Sequence, residues 1–449
     1  MNTQRLWLRA ALVLGLALVA LFVAPAYTHA QATGPALTPL GEVLNADGTL
    51  DLASGWTGSL DVQGWTMMTT ANGAPRFVRT EEPASAPAGG GDSGWLGQFG
   101  SQGTDGSVSA LLVKGNMLYV GGYFSQVSGI PANNIAAWNM TTGTWSALGS
   151  GTNGPVGAPA PKGSLHYGGG GASGSVCALA AVGNDLYVGG LFSTAGGLAA
   201  SYVAKWSTTM HTWSALGSGT DGYVYALAVK GNVLYVGGAF ATAGGIAASN
   251  VAAWNTTANT WSTLSSGANG FVDALTVVGN ALYVGGEFTT AGSVAASNIA
   301  AWNTSTHAWS ALGSGTNGAV WALAFKGNDL YVGGGLTTAG GFSANRIARW
   351  STSTQSWSAL GSGVNGPVAA LTFKGDDLYV GGYFTSAGAT PATFIVRWST
   401  SAQTWTALGS GTDAPVSALA LKGNALYMGG NFVMAGGQPA HYLACWVTP

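Results

Sequence analysis

One string of five residues sets the limits on this fold. Leu282-Tyr283-Val284-Gly285-Gly286 recurs at Leu118, Leu186, Leu234, Leu330 and Leu378, and again, with Met in place of Val, at Leu426. From Leu186 onward the step is 48 residues every time, and the first step, from 118 to 186, is 68. The chain therefore holds seven copies of one unit, with 20 extra residues at a single junction. A repeat of this length predicts one array of supersecondary units, a propeller or a solenoid, where 449 residues would otherwise allow two or three domains.

The unit spanning Val272 to Gly315 reads as four short strands. Val272-Asp273-Ala274-Leu275 leads the first, and a Gly279-Asn280 turn makes a hairpin into the second, Leu282 to Phe288. A polar Thr-Thr-Ala-Gly loop follows, then a third strand around Ile299 to Trp302 and a fourth from Trp309 to Leu312. Gly313 to Gly318 carries the chain into the next unit. A lone unit of this kind cannot bury both of its apolar faces, so its Trp, Leu, Tyr and Val must pack on neighbours. The seventh unit stops three residues after Trp446 and lacks a fourth strand, whereas Trp95 to Phe99, upstream of the first unit, reads as a fourth strand without an owner. The expected fold is all-β: a seven-bladed β-propeller of four-stranded antiparallel blades, its ring closed by Trp95 to Phe99 pairing with Ala444-Cys445-Trp446. Closure would hide an edge open to aggregation.

The flanks differ in character. Arg5 and Arg9 precede an apolar run from Ala10 to Ala24, and Thr28-His29-Ala30 offers a small-residue cleavage site, so residues 1–30 read as a secretory signal peptide. Residues 31–82 lack the repeat and read as a small β-rich appendage, residues 83–92 have the Pro and Gly content of a linker, and residues 93–449 form the propeller. No later stretch is long and apolar enough to span a membrane. The expected location is secreted or cell-surface, and the expected state a monomer. Charged residues are only 7% and the net charge is -2, which gives no pull on phosphate backbones, so nucleic acid is not an expected partner. The two cysteines, Cys177 and Cys445, fall in units two and seven and are expected to be buried and unpaired.

A strand ending in Gly-Gly, then an aromatic-Asn pair (Trp254-Asn255), then a second Trp after a short turn (Trp261) resembles the kelch motif. The whole unit, with Gly-Gly-x-Phe-x-x-Ala-Gly-Gly, is similar to repeats of exported bacterial kelch-like proteins and of fungal cortical polarity markers. The resemblance covers residues 93–449 and implies a propeller; it implies little about activity, because this fold carries binding modules and enzymes alike.

Antiparallel succession puts the loops entering the first strands on the same rim as the loops between second and third strands. There the seven copies diverge most, at the residues flanking the Val that starts each first strand: Ser107/Ser109, Ser175/Cys177, Tyr223/Tyr225, Phe271/Asp273, Ala319/Trp321, Pro367/Ala369 and Pro415/Ser417. Large and polar groups gather in units three to five. Tyr223, Tyr225, Phe271, Asp273 and Trp321 are the candidate ligand surface, since aromatic faces stack on sugar rings and a carboxylate accepts from hydroxyls. The plain alternative is that they fill space between blades. The residue after Gly-Gly also varies, and in unit four it is Glu287, which hairpin counting sets roughly opposite Asp273. Glu287 joins the candidate ligand surface; two carboxylates that close could act as an acid and base pair, with Asp273 and Glu287 the catalytic candidates, while contact with a carbohydrate or cation, or a solvated rim, is the plainer reading. The 20-residue insertion around Pro155 to Gly174, with Lys162, His166 and Tyr167, has the composition of a flap or of a tolerated loop.

No cofactor or metal motif is present: His166, His211, His307 and His441 lie in four different units, and the Gly-Gly pairs are followed by neither a helix nor a Lys. Lys114, Lys230, Lys326, Lys374 and Lys422 recur before the first hairpin turn, where solubility and protection of strand ends is the plainer role and an anion-binding ring the bolder one. The reading these residues favour is a non-catalytic binding propeller that recognises a protein or glycan through the rim. The alternatives are a carbohydrate-active hydrolase or lyase using Asp273 and Glu287, and a purely structural surface or matrix protein.

Overall fold

The computed structural model describes residues 38–39, 60–61, 65–69, 75–79, 92–96, 99, 103–153 and 175–448. The expected signal peptide, most of the appendage and of the linker, and the insertion with Lys162, His166 and Tyr167 lie outside the described residues. The chain divides into two compact units, residues 1–84 and 85–449. In the first, Thr38–Pro39 pairs in parallel with Leu60–Asp61, and Trp65–Thr69 pairs antiparallel with Pro75–Arg79.

The described residues of the second unit are all-β apart from a 3-10 turn at Asp92–Gly94. Among the described residues it holds seven four-stranded antiparallel sheets, numbered here one to seven along the chain. Sheet four shows the plan: Phe271–Val278, Ala281–Glu287, Ile299–Asn303 and Ala308–Ala311 lie side by side in chain order. Gly279, with φ +56°, makes the two-residue turn that joins Val278 to Ala281. The polar loop before the third strand is itself a small hairpin, Thr290–Ala291 against Val294–Ala295. It sends Ala291, with Val294 beside it, into the core between sheets three and four and leaves its other residues on the rim.

The apolar residues bury at the junctions between sheets, each junction having its own core. Tyr283, Ile299 and Leu312 of sheet four pack with Val320, Leu330, Trp350 and Trp357 of sheet five. Each first strand lies beside the first strand of the next sheet, and Val416–Lys422 of sheet seven lies beside Val108–Lys114 of sheet one. The Gly-Gly pair exists for this packing. A β-carbon on Gly285 would overlap Cγ1 of Val320 in sheet five, and one on Gly286 would run into the carbonyl of Phe271 in its own sheet. The same notch receives Val176 at Gly121 and Val108 at Gly429. Bulk is excluded because one backbone must close on another.

The outer strands are joined by tryptophans. Trp302 and Trp309 face each other across the third and fourth strands with ring centroids 5.2 Å apart. The indole N–H of the fourth-strand Trp then donates to the carbonyl that ends the preceding sheet: Trp213 to Leu148 at 2.9 Å, Trp261 to Leu216 at 2.8 Å, Trp309 to Leu264 at 3.0 Å and Trp357 to Leu312 at 2.8 Å. In sheet seven the fourth strand is Trp95–Leu96, with Trp95 opposite Trp446 and Leu96 opposite Cys445; the two indoles are 5.2 Å apart at 76°. Asp92 Oδ1 accepts from the Ser410 amide at 2.7 Å and its hydroxyl at 3.0 Å, and so ties this strand to the end of sheet six.

Candidate functional site

The rim is built from loops tied to one another by short polar side chains. Asp221, in the loop before the first strand of sheet three, accepts at Oδ1 from the amides of Ala241 and Thr242, both at 2.8 Å. Asn269 accepts from Thr289 and Thr290, both at 2.9 Å. Asp105, Asn317, Asn365 and Asp413 repeat the contact in their own sheets. An Asx carbonyl or carboxylate oxygen accepts here in every case, which is why Asp and Asn interchange along the repeat. For Asp105, burial works against the charged form, yet the bonds from the Ser125 hydroxyl and the Gln126 and Ser125 amides outweigh it and hold the carboxyl below its usual value of 3.8.

In every sheet the register between first and second strands slips by one residue just past the Val that opens the first. The residue left over is Ser109, Cys177, Tyr225, Asp273, Trp321, Ala369 or Ser417. The diverged positions of the sequence are thus the bulge positions of the fold. A bulge frees one side chain from the ladder and re-aims it, so the repeat can vary there without disturbing its hydrogen bonds. The bulge also corrects the expected placing of Glu287. Its cross-strand partner is Phe271, and Asp273, in the bulge, has no opposite residue in the ladder. Counting back from Gly279-Asn280 misses this because one strand gained a residue.

The first strands of sheets three, four and five lie next to one another and bring most of the candidate residues into one arc. Tyr223 and Tyr225 are neighbours at 6.3 Å between ring centroids. Tyr225 is packed where burial, then the fields of Cys177, Asp273, Tyr223 and Glu287, push its phenol well above the usual range. Its hydroxyl therefore stays neutral. Both carboxylate oxygens of Asp273 are shut off from solvent. The Trp321 ring lies over Gly335 of its own sheet, 3.6 Å from where a β-carbon would stand. Glu287 lines a cleft of about 370 Å³ with Phe288, Thr289, Asn298, Asn317, Gly318 and Ala319.

Two residues of this neighbourhood are absent from the sequence-based set. Tyr202 packs edge-on against Tyr223 at 5.6 Å, and Cys177 adjoins Tyr225. Tyr202 stands where sheets one, three and four carry Asn134, Asn250 and Asn298, a departure from the repeat that could have marked it. Both cysteines are free thiols, Cys445 buried and Cys177 half-buried. Burial pushes Cys177 up to about 11 and Cys445 to about 12, so neither is a thiolate at neutral pH.

On the opposite rim the recurrent lysines reach across to the next sheet. Lys230 donates to Asn280 Oδ1 at 2.7 Å and Thr304 Oγ1 at 2.6 Å, and Lys326 to Asp376 and, at 3.1 Å, to Thr400 Oγ1. Lys374 donates to Thr448 Oγ1 at 2.6 Å, and Lys422 to Asn116 and, at 2.8 Å, to the Gly115 carbonyl of sheet one. These four link adjacent sheets at their turns. Among the described residues there is no group of three or more His, Cys, Asp or Glu able to hold a metal ion, and no helix long and apolar enough to cross a membrane.

Comparison with solved structures finds the computationally designed Ika8 protein, at a TM-score of 0.47 and 19% identity over 77% of this chain and 97% of that one. It also finds a chain of the mitotic checkpoint complex, at a TM-score of 0.47 and 18% identity over 74% of this chain and 86% of that one. In sequence, a stretch of 63 residues, 14% of this chain, is 43% identical to the polarized growth protein rax2 of Schizosaccharomyces pombe, and spans 6% of that protein's length. The model of the Rax2 C-terminal β-propeller domain matches residues 168–277, 277–377 and 326–427, which together cover more than half of the chain. With its succession of four-stranded antiparallel sheets, this chain belongs to the family of Rax2 C-terminal β-propeller domains.

Proposed function

We propose that the seven sheets are the blades of one closed propeller and that the chain works as an exported, non-catalytic binding module. Its ligand, a glycan or a protein, is taken on the rim that carries the bulges. Closure is supported by the pairing of Trp95–Leu96 with Cys445–Trp446, and by Val108 seating in the notch of Gly429. Export is supported by the sequence alone, through Arg5, Arg9 and the apolar run that follows. The likeness to a polarized growth protein agrees with an interaction role at the cell surface and supplies no ligand.

One observation carries the binding reading. The seven sheets share one backbone, yet the bulge holds Tyr225, Asp273 and Trp321 in three consecutive sheets and small Ser109, Ala369 and Ser417 in sheets one, six and seven. Side chains that diverge in a single arc of a repeat scaffold are the expected form of a binding surface. The aromatic faces of this arc, with the Glu287 carboxylate in the cleft beside them, suit a sugar, whose C–H faces stack while its hydroxyls donate.

A glycan array with the wild-type chain and Trp321→Ala tests this. The expected outcome is a specific signal that falls about tenfold or more in the variant, as for an aromatic anchor. Absence of any signal would leave a scaffolding role. Product released from a polysaccharide, and lost in Asp273→Asn and Glu287→Gln, would instead establish the hydrolase or lyase reading.

A further inference from the structure

Each sheet has one residue, just before its third strand, in the left-handed region: Asn134, Tyr202, Asn250, Asn298, Arg346, Phe394 and Tyr442, with φ between 61° and 68°. Its two backbone hydrogen bonds are the same in all seven, although in sheet seven the preceding His441 is also at positive φ. The amide of Asn298 donates to Phe288 O at 2.8 Å and its carbonyl accepts from Gly286 N at 3.0 Å; at Phe394 the same two bonds measure 2.9 and 3.0 Å. Asn enters this conformation more readily than Tyr, Phe or Arg. The bulky residues are nevertheless present, and they fill space: Tyr202, Phe394 and Tyr442 pack against the cores of the junctions that follow them.

Two clefts of the rim sit over asparagines. One, of about 700 Å³, lies between sheets one and two over Asn134 and is lined by Tyr123, Ser125, Asn133, Asn153 and Thr194. The other is the cleft of about 370 Å³ over Asn298. At the third asparagine, Asn250, the next first strand opens on Phe271, where the Asn298 junction has the small Ala319. Asn134 itself is committed to the fold, accepting from Phe124 N at 3.3 Å and donating to Thr152 O at 2.8 Å. Apart from Asp105, the described side chains lining the larger cleft are uncharged, among them one half-exposed tyrosine ring, amides and hydroxyls. The carboxylate of Asp105 at its edge accepts from Ser125 N at 2.8 Å, Ser125 Oγ at 2.5 Å and Gln126 N at 3.0 Å. Neither set of described lining residues includes Lys or Arg.

We infer that the clefts over Asn134 and Asn298 are subsites for neutral sugar residues, opened by a short residue at the left-handed position and closed in other sheets by Tyr, Phe or Arg. Amides and hydroxyls that both donate and accept match the hydroxyls of a neutral sugar, while an acidic sugar would meet no Lys or Arg among the described lining residues and would meet a carboxylate in each cleft, Asp105 in the first and Glu287 in the second. The tyrosine ring offers a stacking face for the larger subsite. The inference rests on the glycan-binding reading of the rim and adds both the place and the charge class of the ligand.

The test uses the full chain with immobilised fragments of β-glucan and mannan as neutral probes, and of hyaluronan and heparin as anionic ones. Asn134→Tyr and Asn298→Tyr install at each cleft the residue sheet two already carries on the same backbone. Tyr123→Ala removes the exposed ring, 48% accessible, without touching a core. A neutral fragment should bind the wild type and lose about tenfold in affinity in Asn134→Tyr and in Tyr123→Ala, with a further loss when Asn298→Tyr is added, because a filled subsite cannot pack a sugar ring. Unchanged affinity in all three variants, or a preference for the anionic fragments, overturns the inference. Binding that survives all three but falls in Trp321→Ala overturns the subsites and leaves the rim reading standing, whereas a wild type that binds no glycan overturns both.

Discussion

At the scale of single residues, most of what this chain repeats is a record of lost space. Gly285 is Gly because Cγ1 of Val320 stands where its side chain would be. Gly285→Ala is expected to cost about 1–3 kcal/mol, the range for overpacking a well-filled site. Gly279→Ala is a useful contrast: nothing lies within 4 Å of its β-position, and only its φ of +56° opposes a side chain, at about 1–2 kcal/mol. Urea denaturation of both, with a loss for Gly285→Ala no greater than for Gly279→Ala, would count against the notch. Asp105 makes a pH prediction. Its folded carboxyl titrates below its ordinary value, so the stabilisation is complete above about 3.8 and is lost as pH falls through the lower, folded value. Asp105→Asn installs the residue that makes the same contact at Asn269, and should remove this acid-sensitive part while leaving stability near pH 7 little changed. Denaturation midpoints of the two proteins at pH 7 and pH 3 would show it as a smaller drop for the variant. Of the candidate site, the side chains themselves were legible as departures from the repeat. The pairing of Glu287 with Phe271 was not, because a bulge adds a residue without changing residue types around it.

At the scale of strands and hairpins, alternation and turn chemistry located the four strands of each unit to within a few residues. The first strand of sheet four runs from Phe271 to Val278, longer than its apolar centre suggested. The small hairpin at Thr290–Ala295 escaped because its residues are small and polar, held by the rim's Asx contacts and by a tryptophan beneath Gly292. The indole-to-carbonyl bonds are also invisible in sequence, since each joins residues 45 or 65 apart. They matter energetically: Trp261→Phe keeps an aromatic ring in place but removes one of the two donors to the Leu216 carbonyl, the Gly219 amide at 3.0 Å remaining. A loss of about 0.5–1.5 kcal/mol in thermal or chemical unfolding is expected. A variant as stable as wild type would assign the tryptophan to packing alone.

At the scale of the whole chain, the proposed ring depends on a strand of two residues, Trp95–Leu96, held by Trp446 and by Asp92 at Ser410. Deleting residues 93–100 should lower the unfolding midpoint and leave the third strand of sheet seven as a bare edge that pairs with other molecules. Light scattering on the truncated chain should then report self-association. A truncated protein that melts like the full chain and stays monodisperse would contradict closure. The lysines work at the same scale, since Lys422 reaches sheet one across more than 300 residues of sequence.

Periodicity determined by itself that this chain is a series of equivalent β units, and that their Trp, Tyr, Val and Gly positions face neighbouring units. A repeated pattern with two apolar faces has no other way to bury them. Only the tertiary structure decided which side chains share a site. Tyr202 packs on Tyr223, and Tyr225 feels the fields of Cys177 and Glu287, so that groups of three sheets are brought into one neighbourhood by the packing of first strands. That meeting depends on a one-residue slip in register and on the bulk at one left-handed position, and both are set by space between sheets that no local pattern records.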